Sequence, residues 1–358
     1  MRWSRPRVAR GEVDAAVNAG RITRRTPTEE QSRLMVKVAR MYHERGRKQA
    51  QIASELHITQ ARVSRLLRRA SDAGIVKTVV SSPAGVHTDL EERLEQRYGL
   101  IEAVVVDALS SEERDIAQNL GAAAAVYLES TLLGNEIVGI SSSSATLLAA
   151  VTFLGRATSP VVTDVVQLVG GVGEPQVQID ANRLLTTFAS ATGATPIFLP
   201  APGLLGSAAA QHSLMSDPAV QQVSARWSEL TTALVGIGAL EPSPLLAQSG
   251  NAIAEADQEV LRSLGAVGDV CLRFFDESGT LIESELDQKV IGIRPEQLMS
   301  VPRRIAVAGG IRKLAALRGA LLGGWVNVLI TDSVAAHELT RGEPVTAVTT
   351  TPCCPKPK

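Results

Sequence analysis

Residues 48–80 read KQAQIASELHITQARVSRLLRRASDAGIVKTVV and contain two short helical patterns separated by a tight turn. The first pattern places three apolar side chains on one helical face: Ile52, Ala53 and Leu56. Residues 57–58 form the predicted turn, and the side-chain oxygen of Thr59 is placed to cap a second helix that runs to Ala73. This spacing predicts a helix-turn-helix.

The second helix has a predicted buried face and a predicted exposed face. Four apolar residues at positions i, i+3, i+4 and i+7 form the buried stripe: Val63, Leu66, Leu67 and Ala70. The opposite stripe contains Ala61, Arg65, Arg68 and Asp72. We expect Gly74 to stop the helix and residues 75–80 to form the strand of a wing. The segment is therefore typical of a winged helix-turn-helix.

The exposed face suits double-stranded DNA. A small residue and an arginine facing outward in the first two turns allow a helix to enter the major groove, where arginine bonds guanine O6 and N7 in a fork. We expect Arg65 to contact a base, with its neighbours reaching bases or phosphates of an operator. The predicted DNA-binding set is Thr59, Gln60, Arg62, Ser64, Arg65, Arg68 and Arg69. The alternative is an ordinary amphipathic helical hairpin whose arginines are only solvated.

Charge is divided unevenly along the chain. Residues 1–80 contain 18 Lys and Arg against 7 Asp and Glu, whereas the remainder contains 18 against 30, so the net charge of −1 conceals a basic head and an acidic body. A basic head releases counterions when it binds nucleic acid, and such binding weakens with salt. The arginine-rich residues 1–27 are either a disordered basic extension without a fixed partner, which we favour, or an arm for the minor groove.

Composition restricts the other possibilities. Of 358 residues, 45% are hydrophobic but only 3% are aromatic, which favours an aliphatic core around a buried parallel sheet. The uncharged residues 137–155 include four consecutive serines and two glycines, so we expect no membrane span. Three cysteines cannot form a disulfide framework, and Cys353 and Cys354 have no further metal ligands nearby in sequence. We therefore expect a cytoplasmic protein without a metal or another cofactor.

From residue 100 onward, short β-rich runs alternate with helical stretches. The predicted strands are IEAVVVD, EIVGI, VVTDVVQLV, ATPIFL, TALVGIG, DVCLRFF, RIAVAGG and VNVLITD. Helical spacing occurs in residues 116–133, 181–192, 257–264 and 312–322. This alternation predicts a Rossmann-like, doubly wound α/β domain whose ligands bind beyond the carboxyl ends of the strands.

Serines and glycines follow several of these predicted strands. Four hydroxyl residues precede a helix that we expect to begin near Ala145, where backbone N–H groups can hold an anion: Ser141, Ser142, Ser143 and Ser144. Glycines after the strands VVQLV and TALV permit close approach of a ligand to the backbone, although a tight turn explains each of them equally: Gly170, Gly171 and Gly236.

Three charged residues also lie near predicted strand ends. Lys313 lies three residues after Gly310, in the first turn of a predicted helix, where its ammonium can hold a phosphate. Asp269 and Asp276 bracket the predicted strand VCLRFF, and each can accept sugar hydroxyls or cap a turn.

The order of the motifs resembles a known family. The motifs are VSRLLRRASDAGIV, VGIS, QLVGGVG, FLPAPGLL, LVGIG, RFFDESG, VPRRIAVAGGIRKLAAL and VNVLITDSVAA. Together they resemble the SorC (DeoR-like) family of sugar-binding transcriptional regulators over about residues 30–340. The resemblance implies an effector domain related in fold to ribose-5-phosphate isomerases and CoA transferases. It also implies a phosphorylated sugar as effector, and a homodimer or homotetramer on operator DNA.

The resemblance also implies roles for individual residues. By motif position, Lys313 is similar to the phosphate-binding lysine, Asp269 to the acidic residue that bonds the sugar, and Asp180 to a further ligand-facing residue. The sequence departs from the family pattern after VGIS, where SSSSAT replaces a loop that commonly contains Trp and Gly. Since Lys313 is the single predicted cation here, we expect a sugar monophosphate, because a second phosphate needs its own compensating charge.

These expectations divide the chain into five parts. They are a basic extension at 1–27, a winged helix-turn-helix at 28–82, a linker helix at 83–99, an effector domain at 100–340 and a flexible tail at 341–358. The linker helix is either a dimer contact or a solvated spacer. We expect a transcriptional regulator whose operator affinity is controlled by a phosphorylated sugar.

Two alternatives remain open at this point. A sugar-phosphate isomerase or CoA transferase with a DNA-binding head requires a positioned carboxylate base or a nucleophilic glutamate, and only Glu174 follows a suitable glycine loop. The second alternative is a constitutive architectural DNA-binding protein. This alternative does not explain the large acidic domain or the glycines at its strand ends.

Overall fold

The computed structural model describes residues 29–76, 85–141, 144–171, 175–241 and 253–341. Its contacts separate into two units, Met1–Ser81 and Ser82–Lys358. The predicted extension at 1–27 and all but the first residue of the predicted tail at 341–358 lie outside the described residues. No helix among the described residues is both long enough and apolar enough to cross a bilayer.

The first unit contains three helices around a small apolar core. They are α1 (Glu29–His43), α2 (Gln49–Glu55) and α3 (Gln60–Asp72). Met35 and Val38 of α1 pack with Ile52 of α2 and with the apolar stripe of α3. The sequence patterns did not single out α1. It completes the core, because the seven-residue α2 alone is too short to cover the apolar stripe of α3.

The predicted turn and stripe are confirmed in detail. His57 adopts φ +50° between α2 and α3, and Thr59 Oγ1 accepts the Arg62 backbone N–H at 3.3 Å, which caps α3. All four residues of the predicted stripe are buried. The helix-turn-helix is therefore built as the local spacing indicates.

Beyond α3, only the beginning of the predicted wing is described. Gly74 follows the end of α3 with φ +69°, a conformation that favours glycine and stops the helix. Residues 75–76 form a bend rather than a strand, and residues 77–84 lie outside the described residues.

The second unit is organised around a seven-stranded parallel sheet. In chain order the strands are β1 (Glu102–Val106), β2 (Glu136–Ile140), β3 (Val162–Gln167), β4 (Thr195–Ile197), β5 (Thr232–Val235), β6 (Gly238–Ala239), β7 (Gly268–Val270), β8 (Arg273–Phe275), β9 (Arg303–Val307) and β10 (Val328–Asp332). The spatial order of the main sheet is β1-β10-β9-β5-β2-β3-β4, and all of its neighbours pair in parallel. β6, β7 and β8 form a separate antiparallel sheet.

Helices cover both faces of the main sheet. They are α4 (Thr88–Tyr98), α5 (Glu113–Thr131), α6 (Ala145–Phe153), α7 (Pro175–Thr192), α8 (Ala208–Met215), α9 (Pro218–Arg226), α10 (Glu255–Ser263), α11 (Pro295–Ser300), α12 (Leu314–Leu322) and α13 (Ser333–Thr340). Apolar residues of α5, α6 and α7 form one core cluster with the strands, and those of α4, α9, α12 and α13 form another. The predicted doubly wound architecture is confirmed, and the predicted helical stretches correspond to α5, α7, α10 and α12 with shifted ends.

One predicted strand is wrong. DVCLRFF is not a single strand but a hairpin, because Cys271 and Leu272 adopt φ +54° and +63° and reverse the chain between β7 and β8. The run is mostly apolar, and its turn contains no glycine or asparagine, the residues that usually indicate this geometry. Asp269 and Asp276 therefore bracket a hairpin rather than a strand.

The helix predicted as a linker packs on the second unit. Leu90 and Leu94 of α4 are buried in the core, so α4 is not a solvated spacer. Glu95 accepts the Ala103 backbone N–H and Glu91 accepts the Val105 backbone N–H, each at 2.9 Å. Since β1 lies at the edge of the sheet, these carboxylates satisfy donors that an edge strand otherwise leaves unpaired.

Candidate functional site

The candidate nucleic-acid interface lies on the outer face of α3. All seven predicted DNA-binding residues are exposed. Arg65 Nε donates to the Ala61 carbonyl oxygen at 3.3 Å, which holds this arginine along the exposed face. Burial of the opposite stripe fixes the orientation of the helix, so the arginines are presented to solvent together.

The candidate ligand recess lies where the order of strands reverses. From β2 the chain continues outward to β3 and β4, and it then returns to place β5 on the other side of β2. In doubly wound sheets this reversal leaves a crevice beyond the carboxyl ends of the two strands. The loops that follow β2 and β5 contain the predicted residues Ser141, Ser144 and Gly236.

These two loops are bonded to each other. Ser141 Oγ accepts the Gly236 backbone N–H at 3.1 Å, and Ser144 Oγ accepts the Leu147 backbone N–H at 3.2 Å, which caps α6. A Cβ atom on Gly236 would lie 3.0 Å from the Ser144 side chain, so glycine permits this close approach. The structure therefore places Gly236 beside the N-terminus of α6, whereas Ser142 and Ser143 lie outside the described residues.

Two charged residues lie against the loop after β5. Lys313, in the short 3-10 helix Ile311–Lys313 after β9, donates from Nζ to the Ile237 carbonyl oxygen at 2.9 Å. Asp269 of β7 accepts the Leu272 backbone N–H at 3.0 Å, and a Cβ atom on Gly238 would overlap its carboxylate. The recess thus collects Lys313, Asp269 and Gly236 from three distant parts of the sequence.

Burial changes the proton affinity of both charged residues. Desolvation raises the pKa of the Asp269 carboxyl above its ordinary value, although the Leu272 N–H and the Lys313 ammonium oppose this shift. Desolvation lowers the pKa of the Lys313 ammonium, although Asp269 and Glu113 oppose that shift. Both side chains remain partly accessible, so a ligand can reach them. Half-buried charged residues with shifted pKa values, placed beyond the carboxyl ends of parallel strands, are typical of a binding site.

The other predicted ligand residues have different surroundings. Gly170 donates its backbone N–H to the Ile291 carbonyl oxygen at 3.1 Å, and the Gly171 carbonyl oxygen accepts the Gly203 N–H at 2.7 Å. A Cβ atom on Gly170 would overlap the backbone of residues 201–203. Gly170 thus allows tight chain packing beyond β3, at the same edge of the sheet as the recess.

Asp180 and Asp276 do not join the described recess contacts. Asp180 lies in α7, and its side chain is outside the described part of the chain. Asp276 caps its own turn, because its Oδ1 accepts the Ser278 and Thr280 backbone N–H groups, each at 2.9 Å. The Ser278 hydroxyl bond is the main cause that lowers the pKa of this carboxyl.

Sequence reasoning missed two buried residues near the recess. Asp332 Oδ2 accepts the Gly310 backbone N–H at 2.6 Å, which anchors the loop that leads to Lys313. Its signal was present, since an aspartate followed by a serine after a strand is typical of a helix cap. Arg273 pairs with Asp287 at 2.6 Å and braces the β7-β8 hairpin, and a lone arginine in an apolar run was its signal.

The described residues contain no group of three or more potential metal ligands. The recess chemistry is instead that of a polyhydroxylated or anionic organic ligand. Carboxylate and carbonyl oxygens accept hydroxyl hydrogens, while an ammonium and a helix N-terminus attract negative charge.

Known proteins share both the sequence and the fold. Residues 82–341 match the Sugar-bind family, a sugar-binding domain. The deoxyribonucleoside regulator of Bacillus subtilis (strain 168) is 32% identical over 310 residues, which cover 87% of this chain and 98% of that protein. The sorbitol operon regulator of Klebsiella pneumoniae is 31% identical over 310 residues, which cover 86% of this chain and 97% of that protein.

A solved structure extends this similarity to the fold. The crystal structure of the full-length sorbitol operon regulator SorC from Klebsiella pneumoniae has a TM-score of 0.66 and 28% sequence identity, covering 88% of this chain and 100% of that chain. The relatives are transcriptional regulators and not isomerases or CoA transferases. This chain therefore belongs to the SorC/DeoR-like family of sugar-binding transcriptional regulators, and it is a sugar-responsive, DNA-binding regulator rather than an enzyme.

Proposed function

We propose that a phosphorylated sugar binds in the recess of the second unit and that its binding controls the operator affinity of the first unit. The observation that carries this proposal is that Lys313, Asp269 and the capped N-terminus of α6 all lie against the loop after β5, at Ile237, Gly238 and Gly236 respectively. An ammonium and a helix N-terminus favour a phosphate, while a carboxylate favours sugar hydroxyls.

Each residue of the recess has a distinct proposed role. Lys313 binds the phosphate, and Asp269 accepts hydrogen bonds from sugar hydroxyls. The remaining proposed contacts come from the loops after β2, β3 and β5 and from α7: Ser141, Ser142, Ser143, Ser144, Gly170, Gly171, Gly236 and Asp180. Both serine hydroxyls already accept a backbone N–H, but Ser141 is buried whereas Ser144 is half-buried, so we expect Ser144 to contribute more to the ligand.

The proposed operator contacts lie on α3. Arg65 reads a base in the major groove, and the other residues of the predicted set bind bases or phosphates. We further propose a homodimer or homotetramer in the cytoplasm, because a dimer that binds two half-sites can respond to an effector through their spacing. An effector shifts such an equilibrium only if it binds the two arrangements with unequal affinity.

A thermal-shift screen tests the ligand proposal. Suitable probes are ribose 5-phosphate, deoxyribose 5-phosphate, fructose 6-phosphate and sorbitol 6-phosphate, since two relatives are named for deoxyribonucleosides and sorbitol. A ligand at about 100 times its Kd stabilises the folded state by about 2.7 kcal/mol, which raises the Tm by roughly 5–10 °C. No stabilisation by any phosphorylated sugar would contradict the proposal.

The variant Lys313→Ala tests whether the ligand that stabilises the protein binds in the recess. Loss of a charged hydrogen bond costs about 1.5–3 kcal/mol, so we expect ligand affinity to fall roughly 10- to 100-fold. Operator affinity without ligand should be unchanged. The matched control is Lys289→Ala, a lysine of the same unit in another short 3-10 helix, which should retain the full shift. An unchanged shift in Lys313→Ala would remove this lysine from the site.

Comparing a sugar monophosphate with a sugar bisphosphate tests how much negative charge the recess can bind. Among the described residues that meet at the recess, Lys313 is the cation, and Asp269 opposes any further negative charge. We therefore expect fructose 6-phosphate to bind more tightly than fructose 1,6-bisphosphate in isothermal titration. Tighter binding of the bisphosphate would show that the recess holds a second positive group.

A further inference from the structure

α13 is held by polar contacts at both of its ends. At its beginning, Asp332 Oδ1 accepts the Ala335 backbone N–H at 2.9 Å and caps the helix. At its end, the Leu339 carbonyl oxygen accepts the hydroxyl hydrogen of Tyr98 at 3.0 Å. Tyr98 is the last residue of α4, and the two helices share one apolar core. α13 therefore connects Asp332 to α4.

Asp332 also holds the loop that leads to Lys313. Its second carboxylate oxygen, Oδ2, accepts the Gly310 N–H at 2.6 Å, and the Gly310 carbonyl oxygen accepts the Lys313 N–H at 3.1 Å. A Cβ atom on Gly309 would overlap the Asp332 carboxylate, and Asp332 is 2% exposed. One buried carboxylate thus bonds both the loop of the recess and the first turn of α13.

α4 follows the DNA-binding unit in the chain and is fastened firmly to the second unit. Residues 73–87 join α3 to α4. Glu91 and Glu95 bond α4 to the edge strand β1, while Tyr98 bonds it to α13. A shift of α13 therefore reaches α4 through a direct hydrogen bond as well as through packing.

We propose that Asp332 and Tyr98 are positioning residues that carry the state of the recess to α4 through α13. The proposal rests on the proposed function, since it needs a ligand that contacts Lys313. When the ligand displaces residues 309–313, Asp332 transfers the displacement to the start of α13, and the Tyr98 hydroxyl transfers it to the end of α4. Close-packed helices respond to such shifts as units, which lets a small local change act at a distance.

Hydrogen exchange of the full chain tests this connection without a ligand. Tyr98→Phe removes one hydroxyl and one hydrogen bond, and we expect about fivefold faster exchange in residues 309–313 as well as in α13. Asp332→Asn replaces one acceptor oxygen by an NH₂ group, and we expect a similar acceleration in α4. Unchanged exchange in α4 for Asp332→Asn, and in residues 309–313 for Tyr98→Phe, would overturn the proposal.

Tyr127→Phe is the matched control for Tyr98→Phe. Tyr127 is a buried tyrosine of the same unit, and its hydroxyl donates to Glu102 at 2.6 Å at the start of β1. The substitution removes the same atom and a hydroxyl hydrogen bond, here to a carboxylate and away from α13. We expect exchange in residues 309–313 to match that of the wild type, and equal acceleration by both variants would show a general loss of stability instead.

A second readout is the ratio of operator affinities with and without the sugar phosphate selected in the thermal-shift screen. We expect Tyr98→Phe to reduce this ratio by about fivefold while the ligand affinity stays within twofold of wild type. A wild-type ratio in Tyr98→Phe would overturn the proposal. If wild type itself shows no ligand effect, the proposed function fails, whereas the exchange measurement still decides whether Asp332 and Tyr98 are connected.

Discussion

The outer face of α3 and the recess of the second unit use charge in opposite ways. The α3 arginines are exposed, and a short local pattern in the sequence places them. Lys313 and Asp269 are partly buried, come from distant segments, and perturb each other's protonation. Exposed charge acts over a distance and is screened by salt, whereas buried charge acts at contact and depends on desolvation. The two regions should therefore respond to different perturbations.

The largest expected effect in DNA binding belongs to Arg65. A bidentate contact to guanine contributes about 1–3 kcal/mol, so Arg65→Ala should weaken operator binding roughly 5- to 150-fold and relax preference at one base pair. Electrophoretic mobility shifts with operator variants selected from random duplexes measure both quantities. Effector affinity should stay at the wild-type value.

Arg40→Ala separates base contact from net charge in that experiment. Arg40 is an exposed arginine of α1 that forms an ion pair with Glu44 at 3.7 Å. Arg40→Ala removes one positive charge from the first unit, as Arg65→Ala does. We expect a much smaller loss of affinity and no change in base preference. Equal losses for Arg40→Ala and Arg65→Ala would mean that Arg65 contributes charge alone.

Salt dependence sharpens the contrast between the two regions. Arg68→Gln and Arg69→Gln should each reduce the slope of log K against log salt for operator binding by about 1, because each removes a proposed phosphate contact. Ligand binding in the recess should change far less over the same salt range, since its charges are shielded from solvent. Titrations between low and physiological salt measure both slopes. Equal slopes for operator binding and ligand binding would contradict the contrast between exposed and partly buried charge.

Two aspartates should show pH effects of opposite sign. The raised pKa of Asp269 gives stability that is full below its ordinary value of 3.8 and is lost as the pH rises through the folded-state pKa. The lowered pKa of Asp276 gives stability that is present above 3.8 and is lost as the pH falls through the folded-state pKa.

Urea denaturation between pH 3 and 7 tests this pair. The free energy of unfolding of Asp269→Asn should rise relative to wild type as the pH increases, while that of Asp276→Asn should fall relative to wild type. No pH trend in Asp269→Asn would show that Asp269 is solvated like an ordinary surface carboxylate, and the trend of Asp276→Asn in both variants would show that the pKa of Asp269 is lowered rather than raised.

The smallest effects come from two serine caps. Ser144 caps α6 in the recess, and Ser207 caps α8 in the same way, with Oγ accepting the Ala210 N–H at 3.2 Å. Loss of a cap costs about 1 kcal/mol, so both alanine variants should lower the Tm by roughly 2–4 °C. We expect only Ser144→Ala to weaken ligand binding in calorimetry. Equal ligand affinity in the two variants would show that Ser144 only caps α6 and does not contact the ligand.

Local patterns predicted most of the fold. The α3 stripe, the Thr59 cap and the alternation of strands and helices depend on neighbours within a few residues, so the sequence displays them directly. α1 escaped notice because its role is tertiary, namely to cover the α3 stripe. The β7-β8 hairpin was hidden because Cys271 and Leu272 occupy backbone conformations that other residue types normally signal.

The sequence indicated which residues to consider for the recess, but it did not indicate how they contact each other. Motif order singled out Lys313 and Asp269, but no local pattern indicates that Lys313 Nζ contacts the Ile237 carbonyl oxygen. That contact depends on how β5 and β9 become neighbours in the sheet. The helix cap of Asp332 has a local signal, but its second bond, to the Gly310 N–H 22 residues away in sequence, has none.

We propose that occupancy of the recess changes the affinity of α3 for DNA. Fluorescence anisotropy of a labelled operator duplex measures this affinity when the duplex is titrated with the full chain, with and without the sugar phosphate that stabilises it, at one salt concentration. We expect the ligand to change the operator Kd of the wild type by about 5- to 150-fold and to leave that of Lys313→Ala unchanged. Identical operator affinity in the presence and absence of a ligand that demonstrably binds would contradict it.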